Sequence, residues 1–139
     1  TGSWKSTSMQ SMLNYINDHR VKHILTIEDP VEFIFTNNKS IFSQREVWGD
    51  THSFKNALKA ALREDPDIIM IWEMRDVETI EAAMHLAETG HLVISTLHTS
   101  SAAQTISRLI STFPTAEQEQ VQSRLADSLI WVLSQRLVK

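Results

Sequence analysis

The feature that most constrains the fold is a repeated alternation of short apolar runs with segments whose apolar residues recur at helical spacing. Residues 68–71, Ile-Ile-Met-Ile, are the most apolar run and are typical of a strand buried on both faces of a parallel sheet. Runs at 23–27 and 91–98 also predict strands. Strands that alternate with helices predict an α/β fold with a mainly parallel sheet flanked by helices.

Turn and capping residues define where the remaining predicted strands and helices begin and end. We predict a strand over 41–47 and the beginning of another at Leu137-Val138. The predicted helices run from Ser8 to about Asn17, from a cap at Thr51 or Ser53 to Asp65, from a cap at Asp76 to Gly90, from about Ser101 to Pro114, and from the capping box Thr115-Ala116-Glu117-Gln118 to about Ser134.

Composition narrows the possible functions. The 139 residues suffice for one domain with a core. With a formal charge of −4, the sequence shows no electrostatic footprint for DNA or an anionic membrane, and no direct nucleic-acid partner is expected. Because cysteine is absent, disulfides and cysteine-ligated zinc are excluded. No apolar run approaches membrane-spanning length. The chain starts inside a motif, and we therefore expect it to be a fragment.

That motif is the first seven residues, Thr-Gly-Ser-Trp-Lys-Ser-Thr, which match the end of a phosphate-binding loop, G-x-x-x-x-G-K-[ST]. In such a loop backbone N–H groups surround the phosphates, the lysine reaches the terminal phosphate oxygens, and the next hydroxyl binds Mg²⁺. The candidate nucleotide-binding residues are Gly2, Ser3, Lys5, Ser6 and Thr7, with Ser6 as the Mg²⁺ ligand. Trp4 occupies the position of the second glycine, so a plain polar end before a helix is the alternative.

Polar residues collect after three of the predicted strands. They are Glu28, Asp29 and Glu32 after the first, Glu73, Arg75 and Asp76 after the second, and Thr96, His98 and Thr99 at the end of the third. Any one acid could be an ordinary helix cap or a solvated turn. Because open α/β sheets bind ligands at the carboxyl ends of their strands, the three groups together predict a nucleotide site.

Each polar group suggests a role in that site. An acid that follows an apolar strand, as Glu73 does, holds Mg²⁺ directly or through water. Either Glu32 or Glu73 is a candidate for polarising the attacking water. His98 is a candidate contact for the γ-phosphate, and a hydrogen-bonded structural histidine is the alternative. Arg75 is a candidate for offsetting phosphate charge.

Six segments carry a resemblance to a known family. They are Thr26 to Glu32 (TIEDPVE), Gln44 to Val47 (QREV), Ala61 to Asp67 (ALREDPD), Glu73 to Asp76 (EMRD), Ala87 to Val93 (AETGHLV) and Ser95 to Thr99 (STLHT). Together they resemble the secretion-ATPase superfamily, and within it the retraction ATPases of type IV pili. QREV, EMRD and the lack of a tetracysteine zinc motif favour the retraction branch over the assembly and type II secretion ATPases.

The resemblance implies a RecA-like P-loop NTPase core, the C-terminal domain of a homohexameric motor that uses ATP and Mg²⁺ for pilus retraction and twitching motility. The implied partners are an inner-membrane platform protein and the pilus machinery, with the motor peripheral to the cytoplasmic face of the membrane. An N-terminal PAS-like domain and a C-terminal tail fall outside residues 1–139, so this fragment is expected to be a weak or inactive ATPase. A related secretion or DNA-uptake motor is an alternative.

By position, the resemblance also assigns site residues. It places Lys5, Ser6 and Thr7 in Walker A, Glu28, Asp29 and Glu32 in an aspartate box, Glu73 in Walker B, and His91 and His98 in a histidine box. Glu32 matches the catalytic glutamate of the family. The match therefore agrees with one of the two candidates for the general base.

All four tryptophans of the chain stand at glycine-like positions. Trp4, Trp48 and Trp72 replace family glycines, and Trp131 sits where glycine or another small residue is expected. We hypothesise that these are UGA codons, which some bacteria read as glycine and a common alternative table reads as tryptophan. The competing hypothesis is a non-catalytic ring subunit whose phosphate loop is blocked by Trp4.

Overall fold

The computed structural model describes residues 4–47, 54–136 and 138. Its centre is a four-stranded sheet in the order β2-β1-β3-β4. The strands are β1 (His23–Glu28), β2 (Ile41–Glu46), β3 (Ile68–Ile71) and β4 (Leu92–Ser95), and every pairing between neighbours is parallel. The predicted α/β fold with a parallel sheet flanked by helices is confirmed.

Within the described residues, five α-helices accompany the sheet. They are α1 (Lys5–His19), α2 (Phe54–Arg63), α3 (Val77–Glu88), α4 (Ala102–Ser111) and α5 (Gln118–Ser128). No helix in this part of the chain is both long and apolar enough to cross a membrane.

The core lies on both faces of the sheet, because successive strand side chains point to opposite sides. On one face α1 buries Met9 and Leu13 against Ile24, Ile68 and Met70. On the other face α2 and α3 cover the alternate residues of the same strands. The residues packed there are Leu25, Ile27, Ile69, Ile71, Ala57, Leu58, Ala61, Ala83 and Leu86. Burial on both faces explains why β3 is apolar at every position and why residues 24–28 of β1 are buried.

Three predicted helix ends have the expected geometry. Asp76 caps α3, with its carboxylate accepting a hydrogen bond from the Thr79 N–H at 2.8 Å. Ser101 caps α4 in the same way through the Gln104 N–H. Gly90 follows α3 at φ 96°, in the left-handed region that glycine enters without steric strain.

Several predicted boundaries were wrong. Helix α1 begins at Lys5 rather than Ser8. Strand β4 covers only Leu92–Ser95, because the carbonyls of Thr96 and Leu97 instead accept hydrogen bonds from Met74 N–H and the Lys5 ammonium. The caps expected at Thr51 or Ser53 and the strand start at Leu137 lie outside the described residues, and Val138 is in no strand.

The capping box at Thr115 was also a wrong prediction. Residues Thr115–Glu117 form a 3₁₀ turn, and α5 follows without a side-chain cap among the described residues. The helix ends at Ser128 instead of Ser134, and Leu129 is extended. The apolar residues of α5, Val121 and Leu125, keep helical spacing, whereas residues 129–133 are consecutively apolar and give a helix no polar face.

Arg124 joins α5 to α3 and supports a stability prediction. Its guanidinium donates to both carboxylate oxygens of Glu81 at 2.8 Å, and to Glu88 at 2.6 Å and 3.1 Å. These contacts lower the pKa of Glu88 and raise that of Arg124. We expect Arg124→Met in the intact protein to lower Tm by about 3–5 °C, measured by thermal unfolding, because one cation bridges two helices.

The pH dependence of this effect has a defined sign. A carboxylate whose pKa is lowered in the folded state stabilises the fold above its ordinary pKa of 4.5, and this contribution is lost as pH falls through the folded-state value. The difference in Tm between parent and Arg124→Met should therefore shrink below pH 4.5. Lys59→Met, which removes an exposed cation from α2, is the matched control. An equal loss of Tm in the control would contradict the prediction.

Candidate active site

The predicted site residues lie where α1 begins and where β1, β3 and β4 end. Because the strands are parallel, their carboxyl ends share one edge of the sheet, and the first turn of α1 reaches the same edge. No acidic residue occupies the first turn of α1. The free N–H groups of that turn and the helix dipole therefore favour an anion.

Lys5 connects α1 to the residues after β3 and β4. Its ammonium donates to the Leu97 carbonyl at 2.9 Å and to Nδ1 of His98 at 2.9 Å. Nε2 of His98 lies 3.3 Å from a carboxylate oxygen of Glu73, and the other oxygen of Glu73 accepts from the Arg75 guanidinium at 2.9 Å. The structure thus brings together four predicted site residues.

The contact with Lys5 determines the tautomer of His98. A lysine ammonium can only donate, so Nδ1 must accept and the imidazole proton must be on Nε2. That proton points at the Glu73 carboxylate, whose side chain is only 13% exposed. His98 therefore links the Lys5 ammonium to the acid that follows β3. The backbone carbonyl of His98 is itself held by Arg108 at 2.9 Å.

A small cavity beside this network brings together a second group. It is lined by Ser6, Met9, Gln10, Leu13, Glu28, Glu32, Phe33, Phe35, Met70 and Trp72. Ser6 of the phosphate-binding motif therefore shares a cavity with two acids of the aspartate box. The third acid, Asp29, is exposed at the turn after β1.

Glu28 is buried at the end of β1. One carboxylate oxygen accepts hydrogen bonds from the Thr26 hydroxyl at 2.8 Å and the Gln44 amide at 3.2 Å. Burial raises the pKa of Glu28, while those two hydrogen bonds oppose the rise and the nearby Glu32 and Glu46 add to it. Deprotonated Glu28 is therefore stabilised by these donors against the loss of solvent.

His91 does not join the site. It lies just before β4, at the opposite end of that strand from His98. Its Nδ1 is 3.0 Å from the Leu86 carbonyl, a contact that connects it to α3 and not to the candidate site. The two histidines that the resemblance places in one motif thus have different surroundings.

The tryptophans differ in backbone conformation. Trp4 has φ 59° and ψ 31°, the left-handed region, and its side chain is 63% exposed. A residue with a side chain adopts this conformation at a cost, whereas glycine does so freely. Trp72 is half-buried against the core beneath α1 and lines the cavity with Ser6. Gly2, Ser3 and Trp48 lie outside the described residues.

The residues present fit a nucleotide with Mg²⁺. Ser6 and Glu73 supply the hydroxyl and carboxylate oxygens that Mg²⁺ prefers, and this ion usually binds through one or two protein ligands together with substrate phosphates. This donor set agrees with an ion that is held jointly with phosphate.

Sequence reasoning missed some contacts of this site. The Leu97 carbonyl accepts from Lys5, and Arg108 holds the backbone of His98. A backbone carbonyl leaves no signal in residue types. Arg108 follows His98 by ten residues, and only the return of α4 to the end of β4 makes the contact.

The fold, with a helix that begins at Lys-Ser-Thr at the carboxyl edge of parallel strands, is that of the P-loop class of α/β proteins. Residues 1–139 match the family described as "Type II/IV secretion system protein". The chain belongs to this family.

Curated relatives cover the whole chain. It is 55% identical over 139 residues to "Twitching motility protein" of Neisseria gonorrhoeae, and 55% identical over 139 residues to "Type IV pilus retractation ATPase PilT" of Pseudomonas aeruginosa. The chain spans 37% and 40% of the lengths of these relatives. A solved structure, "Crystal Structure of the Pilus Retraction Motor PilT and Bound ADP", matches 92% of this chain and 37% of that one, with 56% identity and a TM-score of 0.89.

Proposed function

We propose that the chain is the core of an ATP-hydrolysing motor domain that drives type IV pilus retraction. The observation that carries this proposal is the meeting of Lys5, His98 and Glu73 at the carboxyl edge of the sheet. A cation from the phosphate-binding motif and an acid that follows β3 contact one histidine there. The names of the relatives and the ADP in the similar structure support ATP as the nucleotide.

In this proposal the first turn of α1 binds the phosphates. Its free N–H groups face the anion, Lys5 neutralises terminal phosphate charge, and the Ser6 hydroxyl and Glu73 carboxylate hold Mg²⁺. The bound ion would offset charge on the phosphate oxygens. The Lys5 ammonium has three donors and uses two of them on the Leu97 carbonyl and His98 in this structure, so one remains for a phosphate oxygen. His98 would then connect the phosphate-binding lysine to Glu73.

Glu32 is the proposed general base. It lines the cavity that Ser6 also lines, which supports its access to water near the phosphates. Glu73 instead contacts Arg75 and His98 at the end of β3, and its carboxylate is the proposed Mg²⁺ ligand. Asp29 and Arg75 are proposed to add to the charge balance around the nucleotide.

For the whole protein we propose a homohexamer that works with an inner-membrane platform protein and the pilus machinery at the cytoplasmic face of the membrane. This part rests on the resemblance and on the pilus functions in the names of the relatives. A PAS-like domain before this chain and a tail after it belong to the same proposal. A related secretion or DNA-uptake motor would share the same site.

The proposal includes glycine at positions 4, 48, 72 and 131 of the natural protein. The left-handed backbone of Trp4 supports it, since a phosphate-binding loop uses glycine there for the same conformation. The second candidate function is a non-catalytic ring subunit. It is favoured by the indole of Trp4, which directly precedes Lys5 and is 63% exposed.

The test uses the protein purified from its own cells. Cleavage after Lys and Arg should release peptides 46–55 and 64–75, which contain positions 48 and 72. Mass spectrometry should find glycine at both, and the same preparation should hydrolyse ATP in the presence of Mg²⁺. Tryptophan at both positions together with absent hydrolysis would refute the motor and leave the non-catalytic subunit.

A further inference from the structure

The segment between β1 and β2 carries Glu32 and lacks regular structure. Within the described range 4–47, residues 29–40 belong to no helix or strand. A free loop of this length would place Glu32 in many positions. In this structure side chains from two neighbouring elements hold its backbone.

Three hydrogen bonds flank Glu32. The Glu46 carboxylate accepts from the Val31 N–H at 2.9 Å, one residue before Glu32. The Gln44 amide donates to the Phe33 carbonyl at 2.7 Å, one residue after it, and its oxygen accepts from the Phe35 N–H at 2.9 Å. The backbone on both sides of Glu32 is thus tied to β2.

Alternation along β2 places these groups on one face. Phe42, Gln44 and Glu46 are two residues apart, so their side chains point the same way. Phe42 stacks on Phe35 with ring centroids 4.4 Å apart, and Phe35 is buried. In the sheet register Gln44 is opposite Thr26 and Glu46 is opposite Glu28. One face of an edge strand therefore forms a continuous support for the segment.

Gln44 also reaches the site itself. Its amide donates to the Glu28 carboxylate at 3.2 Å as well as to the Phe33 carbonyl. One side chain therefore fixes both the buried acid at the end of β1 and the backbone that carries Glu32. An amide suits this position because it donates and accepts at once.

We propose that Gln44 and Glu46 are positioning residues for hydrolysis, which hold the backbone around Glu32 so that its carboxylate addresses the attacking water. This inference rests on the proposed function. Reacting groups must be held closely, since a displacement of roughly 1 Å can slow a reaction about a hundredfold. Phosphate binding is assigned to the first turn of α1, so neither Gln44 nor Glu46 is required for it.

The same segment offers a matched control. Asn17 of α1 is buried and also makes three hydrogen bonds to the segment, to the Thr36 carbonyl at 2.7 Å and from the N–H groups of Asn38 at 3.0 Å and Ser40 at 3.2 Å. These bonds hold the far end of the segment, away from Glu32. Gln44→Leu and Asn17→Leu therefore remove equal numbers of bonds at different distances from the candidate base.

The experiment compares both variants in the intact protein, with the residues that its own cells place at the four tryptophan positions. We expect Gln44→Leu to lower kcat for ATP at least about tenfold while the Kd for ATP changes less than about threefold. Asn17→Leu should lower Tm at least as much with a smaller loss of kcat. An equal loss of kcat in the two variants, or a loss confined to ATP binding, would overturn the proposal.

Glu46 supplies a second comparison. Glu46→Gln keeps an oxygen that can accept from the Val31 N–H and should retain most of kcat, whereas Glu46→Leu should lose it. Backbone hydrogen exchange gives a readout independent of turnover, and the amides of Val31 and Phe35 should exchange faster in Glu46→Leu and Gln44→Leu respectively. Unchanged exchange would overturn the positioning role, whereas absent ATP hydrolysis in the parent protein with normal exchange protection would refute only the proposed function.

Discussion

Replacing Trp4 with glycine should raise the affinity for ATP by about tenfold or more. Trp4 has φ 59°, where a residue with a side chain costs about 1–3 kcal/mol that glycine does not. Its indole also directly precedes Lys5, at the point where phosphate must approach the backbone. Equilibrium titration with ATP in the presence of Mg²⁺ measures the gain in affinity that removal of the indole produces. The backbone strain is present with and without nucleotide, so its relief should appear separately as a higher Tm of Trp4→Gly.

Trp131→Gly is the matched control for this prediction. Trp131 is 61% exposed, close to the 63% of Trp4, but it follows α5 and is not among the described residues that line the cavity or form the hydrogen bonds of the candidate active site. The control should leave ATP affinity within about twofold of the parent. Equal gains in both variants, or none in Trp4→Gly, would show that the indole of residue 4 does not limit nucleotide binding.

Glu32→Gln should lower kcat for ATP by about a hundredfold or more and leave ATP binding nearly intact. General-base catalysis contributes about 10²–10⁴ to a rate, and the amide keeps the size of the side chain while removing its basicity. Glu32 is exposed in the segment after β1, so the substitution removes no buried contact. Single-turnover kinetics and equilibrium binding measure the two effects separately.

A Glu73→Gln variant tests whether Glu73 and Glu32 have the different roles proposed for them. Glu73, which contacts His98 and Arg75, is the proposed Mg²⁺ ligand, so loss of its carboxylate should weaken the Mg²⁺-dependent part of ATP affinity as well as turnover. Binding measured with and without Mg²⁺ isolates this part. The opposite pattern, with intact Mg²⁺ dependence in Glu73→Gln and lost dependence in Glu32→Gln, would exchange the two assignments.

Sequence patterns predicted most of the architecture, for physical reasons that particular elements make clear. Residues 68–71 are apolar without alternation, and only burial on both faces of a sheet stabilises such a strand. Asp76 and Ser101 predicted helix starts because their side chains satisfy free backbone N–H groups. Parallel strands then bring Lys5, Glu73 and His98 to one edge, as expected from topology alone.

The parts that the sequence did not predict depend on register and on backbone atoms. The role of Gln44 follows from its position opposite Thr26, which no local pattern contains. Asn17 was assigned to the polar end of a helix, yet it continues the buried stripe of Met9 and Leu13 at intervals of four residues. The burial of Asn17 could have been predicted from that spacing. Helix α5 ends at Ser128, where the amphipathic spacing of its apolar residues is lost. The prediction relied on the capping pattern at the start of the helix and did not use this signal.

Helix α1 is a single rod of about 22 Å that reaches from the candidate active site to the far end of the segment that carries Glu32. Lys5 forms part of its first turn, while Asn17 near its other end holds residues 36–40 of that segment. The hydrogen bonds from Gln44 and Glu46 lie closer to Glu32 than those from Asn17. A shift of α1 would therefore reach residues 36–40 first, while the hydrogen bonds to β2 would keep the backbone beside Glu32 in place.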